Sequence, residues 1–296
     1  MVDIHDIRYV RIGTDDLDTS VRFAVEMLGL ELMERDANRA YLRGDDRDHN
    51  ICYTRGRESG QATGWEVPST ELLDQAAGKL EAAGVQVRAG TAEERELRRV
   101  RGMIVVNDPS GNVLELVARP QACGRRFFPS RDAGITHFSH VGLHTADAAG
   151  DENFWVHKLG AKVSDWIGDA PLMRINEVHH NVALFPSGKA GIQHVNFQVE
   201  TVDDIMRSYY FLQKNNVKIV FGPGRHATSG ARFLYFQGPD DVVYEYSCGV
   251  RMITEEDEKT YIPRSFPFED QSFCVWGSKP DIPEFSKDKK PVAHAA

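Results

Sequence analysis

The sequence predicts an α+β protein of four strand–helix–strands units (βαβββ), paired into two domains that each curve a sheet around a cavity. Three observations predict it. First, IRYVRIG alternates like a strand and runs into the amphipathic stretch DDLDTSVRFAVEMLGLEL; FSHVGLHT runs in the same way into DAAGDENFWVHKLGAKV. Tyr9 stands as far ahead of the helix-ending Gly29 as His140 stands ahead of Gly160. Second, TELLDQAAGKLEAAGVQV resembles DDIMRSYYFLQKNNVKIV, each a helix closing on Gly84 or Asn216 before a strand. Third, both then reach a strand, a tight turn and a last strand, MIVVNDPSGNVLELV and FLYFQGPDDVVYEYS.

The units fall at 5–55, 62–118, 136–186 and 190–248. Short strands follow each first helix: AYLRG and NICYTRG in one copy, LMRIN and NVALFP in the other. One unit alone exposes a face of its short sheet. Pairing two units puts helices outside and turns every second strand residue into a concave interior. The division is therefore a first domain at 1–118, a linker rich in Pro, Gly and charge at 119–134, and a second domain at 135–250. A tail at 251–296, rich in Pro, Phe and acid from Ser265 to Phe285, is expected to pack on the second domain.

Composition narrows the function. With 41% hydrophobic residues the chain can bury a core, and a net charge of −9 argues against nucleic acid as a partner. The mixed-sign stretch Glu93 to Arg101 reads as solvated surface. Cys52, Cys123, Cys248 and Cys274 form no CxxC pair, which fits a reducing, cytoplasmic setting. The N-terminus lacks the regions of a signal peptide, and no apolar run reaches membrane-spanning length.

Most of the 11 histidines need no functional account, and His5, His49, His157 and His294 read as surface residues. Others fall on inward-facing strand positions. Strict alternation puts His140 on a face with Phe138, Gly142 and His144, and His194 on a face with Ile192, Asn196 and Gln198. Glu245 lies opposite Tyr244 and Tyr246. Two imidazoles and a carboxylate suit a divalent first-row metal with coordination positions left open, the arrangement of non-haem iron(II) oxygenases. The bland alternatives are hydrogen-bonded cleft histidines and a glutamate paired with an arginine.

THFSHVGL, NEVHHNVALFP, GIQHVNFQVE, FGPGRHATSGARFLYFQGP and VVYEYSCG occur in an order that resembles the catalytic domain of type I extradiol ring-cleaving dioxygenases, in the vicinal oxygen chelate superfamily. The repeat itself covers nearly all of 5–250. The resemblance implies the glyoxalase-like fold and a reaction in which dioxygen opens a catechol ring beside the diol, in aromatic degradation. It implies Fe(II), with Mn(II) second, held by His140, His194 and Glu245. It makes His180 the acid–base residue, since an imidazole can take a proton and later return it. His226 and Tyr235 would bind the catechol oxygens. Homo-oligomers are common in the family.

The match has gaps. In the first domain Tyr9 and Ala62 stand at the positions of His140 and His194, and only Glu115 answers to Glu245, which leaves that domain structural. Thr228 and Ser229 follow GRH where biphenyl-type relatives often carry Asn and Asp, a departure that touches substrate preference. Gly142 and Leu172 are candidates for the distal part of the substrate pocket, with a close strand contact and a core leucine as the alternatives. His179 is expected to face away from His180, toward the surface. Competing functions are a glyoxalase-type isomerase, which tends to use more carboxylate ligands, and a metal-free binding protein on the same repeat.

Overall fold

A computed structural model describes residues 1–286; the end of the expected tail, with His294, lies outside the described residues. The first half contains β1 (Asp6–Thr14), α1 (Leu17–Glu26), β2 (Glu31–Arg35), β3 (Arg39–Arg43), β4 (Ile51–Arg55), β5 (Gln61–Val67), α2 (Thr70–Ala82), β6 (Arg88–Ala89), α3 (Ala92–Arg98), β7 (Gly102–Asn107) and β8 (Val113–Ala118). The second contains β9 (Ile135–Thr145), α4 (Ala148–His157), β10 (Lys162–Ile167), β11 (Ala170–Arg174), β12 (Val182–Pro186), β13 (Gly191–Val199), α5 (Val202–Lys214), β14 (Ile219–Arg225), β15 (Arg232–Gln237) and β16 (Val243–Cys248). Beyond them come α6 (Glu255–Glu258), β17 (Arg264–Phe266) and α7 (Asp270–Phe273).

Each half forms one sheet with the same plan. The first is ordered β2-β3-β4-β1-β5-β8-β7-β6, and the second β14-β15-β16-β13-β9-β12-β11-β10-β17. In both, the first strands of two units meet antiparallel at the centre, and the last strand of each unit lies parallel beside its own first strand. Local chemistry sets the helices. Asp16, Ser69, Asp147 and Thr201 accept backbone N–H bonds as N-caps of α1, α2, α4 and α5. Gly29 and Gly160 leave α1 and α4 at positive φ (76° and 80°), where a side chain would be strained.

The helix-side faces of both sheets share one apolar core. Trp65 meets Trp155 edge-on at 4.9 Å, and Phe23 of α1 packs against Phe236 and Tyr244 of the second half. The concave face of the second sheet carries a separate cluster. There Leu172, Ala183, Phe185, Phe221, Phe233 and Tyr235 meet Phe273, Ile282 and Phe285 from beyond residue 250. This C-terminal segment is anchored at β17, which pairs parallel with β10. Phe285 is ringed by Phe185 at 4.8 Å and Phe273 at 5.0 Å. Burying an aromatic side chain of that size contributes roughly 1.5–3 kcal/mol.

Alternation fails where the central strands shift register. Register shifts fall between Ile192 and His194 and between Asn196 and Phe197, the latter paired with a step from His140 to Phe138. Each extra residue flips the face of what precedes it. Phe138 and Ile192 therefore belong to the helix-side core, not to the face of His140 and His194 as strict alternation predicts. Two surface readings are also corrected. His49 is buried between Tyr9 and Tyr41 with Nδ1 on Asp48 at 3.0 Å. Within the mixed-sign stretch, Arg98 and Arg99 turn inward onto Glu115 and Asp48.

Candidate metal centre and active site

The central strands bring His140, His194 and Glu245 together. Asn196 of β13 is in register with both His140 of β9 and Glu245 of β16, and His194 lies two residues along on the same face. One ligand atom from each lies within 4.8 Å of the others, and all three residues are buried. His140 Nε2 is 3.1 Å from His194 Nε2 and 3.0 Å from Glu245 Oε2; His194 Nε2 is 3.4 Å from that same oxygen. Yet Glu245 Oε2 has no partner in hydrogen-bond geometry. Three lone-pair atoms facing a common point, one an orphaned buried carboxylate oxygen, fit a bound cation better than a self-contained hydrogen-bond network.

Electrostatics agree. Burial would raise the Glu245 carboxyl, but His140, His194 and His226 outweigh it and hold it well below the ordinary carboxylate range. Burial lowers His140 below the usual imidazole value, so it offers a neutral ring. His194 Nδ1–H donates to Gln193 Oε1, which turns Nε2 toward the centre. The register shift at Ile192/His194 is what lets neighbouring Gln193 curl onto this ring.

The other expected residues gather around this centre. The His180 ring lies 4.3 Å from that of His140, and burial, then the neighbouring His140 and His179, depress it well below the usual range. His226 Nε2 approaches Glu245 Oε1 at 3.4 Å while its Nδ1–H donates to the Phe273 carbonyl at 2.9 Å. A carbonyl can only accept, so the ring carries a proton on Nδ1 and its Nε2 faces the Tyr235 hydroxyl 3.3 Å away. Burial, then Glu245, push Tyr235 well above its ordinary value and keep it protonated. Leu172 joins the apolar wall with Phe185.

Gly142, Thr228, Ser229 and His179 each sit in surroundings that the sequence did not show. A Cβ on Gly142 would fall 2.5 Å from His194 Cε1, the close strand contact that was the alternative to a pocket role. Thr228 and Ser229 are buried, with their carbonyls bound by Arg264 Nη2 and the Arg251 backbone N–H. His179 is fully buried, not a surface neighbour, with Nε2 on Asp165 at 2.9 Å. It precedes the start of β12 at Val182, so strand alternation never governed it. Sequence reasoning also missed Asp165, Gln193 and the Phe273 carbonyl; apart from the doubled histidine, no motif announces them.

His144, further along β9, stands 3.6 Å from Glu284 of the C-terminal segment. Burial lowers its pKa to about 3, so this is not a contact between two charges.

The sequence pattern of the glyoxalase/bleomycin resistance protein/dioxygenase superfamily matches residues 6–116 and 137–246. The chain belongs to that superfamily. Both matched segments coincide with the two sheets, so the superfamily unit occurs twice. Similar curated members include the iron-dependent extradiol dioxygenase of Rhodococcus jostii, 27% identical over 93% of this chain and 96% of the relative. Biphenyl-2,3-diol 1,2-dioxygenase of Sphingomonas paucimobilis is 27% identical over 87% and 92%. Among solved structures, a halotolerant catechol dioxygenase superposes with a TM-score of 0.85 at 22% identity, covering 98% of each chain. A Mn(II)-bound glyoxalase from Novosphingobium aromaticivorans does so with a TM-score of 0.85 at 26% identity, covering 100% of this chain and 96% of the other.

Proposed function

We propose that this chain is an extradiol dioxygenase that opens a catechol-type ring beside its diol, with His140, His194 and Glu245 holding Fe(II). The observation that carries the proposal is the orphaned Oε2 of Glu245 facing two imidazole nitrogens. The curated relatives that share most of the chain's length and are named extradiol, biphenyl-diol and methylcatechol dioxygenases support it. When bound, the metal supplies open positions for diol and dioxygen and a path for electron density between them.

The remaining work falls to side chains. A neutral diol must lose a proton, and His180 takes it on Nε2, the ring nitrogen turned away from His179. The Tyr235 hydroxyl donates to a substrate oxygen and steadies charge developing on it, while His226 Nε2 accepts from a substrate hydroxyl. The wall of Leu172, Phe185, Phe221 and Phe285 takes the apolar edge of the aromatic ring and excludes water. Residues 135–250, closed over by the C-terminal segment, are thus the catalytic part and 1–118 the structural part. Four unpaired cysteines fit the cytoplasm, and no helix among the described residues is long and apolar enough to cross a membrane. Homo-oligomer formation belongs to the same proposal and is read by analytical ultracentrifugation.

The deciding experiment is oxygen uptake by anaerobically iron(II)-loaded protein across a panel of substituted catechols. One dioxygen consumed per catechol, with a yellow product, is expected. The likeness to a Mn(II)-bound glyoxalase favours an isomerase as the second function. Turnover of a glutathione hemithioacetal without oxygen uptake would establish that function instead.

A further inference from the structure

His179 and His180 stand side by side ahead of β12, their rings perpendicular and their Nδ1 atoms 3.1 Å apart. Behind them lies Asp165 of β10, whose side chain is fully buried. Its Oδ1 accepts from the Arg264 backbone N–H at 2.9 Å and from Arg264 Nε at 3.0 Å; its Oδ2 accepts from Arg264 Nη2 at 2.6 Å and faces His179 Nε2 at 2.9 Å. Burial alone would raise this carboxyl, but the bonds from His179 and Arg264 outweigh it and keep it ionised.

The protons along this chain follow from donor and acceptor inventory. An ionised carboxylate only accepts, so His179 carries its proton on Nε2. Burial lowers His179 more than Asp165 raises it, so the ring is neutral and Nδ1 holds a lone pair. The 3.1 Å contact between the two Nδ1 atoms is then a hydrogen bond only when His180 supplies the proton. His180 therefore carries its proton on Nδ1 and a lone pair on Nε2.

We infer, resting on the dioxygenase function proposed above, that Asp165 and His179 are positioning residues that lock His180 in the Nδ1–H tautomer and so leave Nε2 as its proton acceptor. The lock is anchored from outside the repeated units. Arg264 belongs to β17, and its Nη2 also binds the Thr228 carbonyl in the segment that carries His226. One arginine of the C-terminal segment thus fixes the acid–base histidine and braces the loop that presents the other cavity histidine.

The test reads the tautomer directly and separately from activity. In the full chain loaded with diamagnetic zinc(II) and carrying 15N-histidine, the His180 ring is assigned by its loss in His180→Gln. Nδ1 is expected to have the shift of a protonated nitrogen and Nε2 that of an unprotonated one. His179→Phe, which removes the acceptor, should release this preference. In the iron(II)-loaded enzyme His179→Phe and Asp165→Asn should lower kcat about a hundredfold or more, as wrong-tautomer substitutions do elsewhere, with KM held within about threefold. His179→Asn, whose side-chain oxygen can replace Nδ1 as acceptor, should recover most of the rate. A wild-type His180 protonated on Nε2, or an unchanged tautomer and kcat in folded His179→Phe, would overturn the inference. Should His179→Phe not fold, the wild-type spectrum and Asp165→Asn decide. Failure of the wild type to open any catechol would sink the dioxygenase function, while the spectra would still decide the lock.

Discussion

Arg98 closes on Glu115 through two hydrogen bonds, Nη2 to Oε1 at 2.8 Å and Nε to Oε2 at 3.1 Å, at the place in the first sheet that Glu245 holds in the second. The registers correspond: Glu115 pairs with Gly64 and Gly64 with Tyr9, as Glu245 pairs with Asn196 and Asn196 with His140. A guanidinium on α3 thus serves one buried carboxylate, where the other faces two imidazoles. The Tyr9 hydroxyl at 2.7 Å and Arg11 at 3.6 Å complete the first cluster.

Arg98→Ala should therefore be costly for folding and neutral for chemistry. It leaves Glu115 buried with only Tyr9 and Arg11, and truncating one partner of a buried pair costs about 3–5 kcal/mol. Urea unfolding should show the loss, with iron content and turnover per folded molecule unchanged. A variant as stable as the wild type would mean that Glu115 does not depend on Arg98.

His140→Ala, His194→Ala and Glu245→Gln should each strip the protein of iron. Each removes one of three converging donors and opens no apolar cavity in the helix-side core. Metal analysis after gel filtration reads the result, beside an unchanged circular dichroism spectrum. A variant that keeps wild-type iron removes its residue from the ligand set.

His180→Ala should separate binding from turnover. It leaves the three donors in place, so iron is retained, while losing a positioned acid–base group typically costs about 10²–10⁴ in rate. Full activity would take His180 out of the mechanism.

The repeat was legible because turn and capping chemistry is local. Gly29, Gly160, Gly84 and Asn216 all take positive φ where the spacing ended helices. That His140, His194 and Glu245 converge was legible on alternation and on the collinear motifs together, although alternation alone misassigned Phe138 and Ile192. The two bulges that flip those residues leave no mark in composition. Nor could the Arg98–Glu115 pair be read, because an arginine amid surface-like charge shows its partner only when α3 lies over β8. Asp165 is likewise brought to His179 by tertiary packing across 14 residues.

Stability should fall between mild acid and neutrality through Asp108. Burial, together with nearby Asp151, raises its carboxyl from 3.8 to about 6 despite bonds from Asn112. The folded state thus binds the proton more tightly than the unfolded chain. The contribution is fully present below the unfolded value of 3.8 and is lost as pH rises through about 6. Asp108→Asn should flatten that limb of the pH–stability curve, gaining about 1–3 kcal/mol at pH 7 relative to its effect at pH 4. Equal effects at the two pH values would show that Asp108 is not the group.

Gly142→Ala tests whether the glycine exists for the substrate or for a ligand. The backbone there is not in the left-handed region, so alanine brings no conformational strain of its own. Its methyl group would instead stand 2.5 Å from His194 Cε1 and 2.9 Å from Gln193 Oε1, closer than real carbon contacts. The imidazole must turn, and turning it breaks both the Nδ1 bond to Gln193 and the aim of Nε2 at Glu245. Iron affinity should fall about 10- to 100-fold, the usual scale for disturbing a ligand's support, with overpacking costing about 1–3 kcal/mol of stability. Gly78→Ala on α2, where nothing lies within 4 Å of the added carbon, is the control and should stabilise by about 0.5–1 kcal/mol. If Gly142→Ala holds iron as tightly as the wild type and alters only the choice of catechol, the glycine serves the substrate and the His194 ring has room to spare.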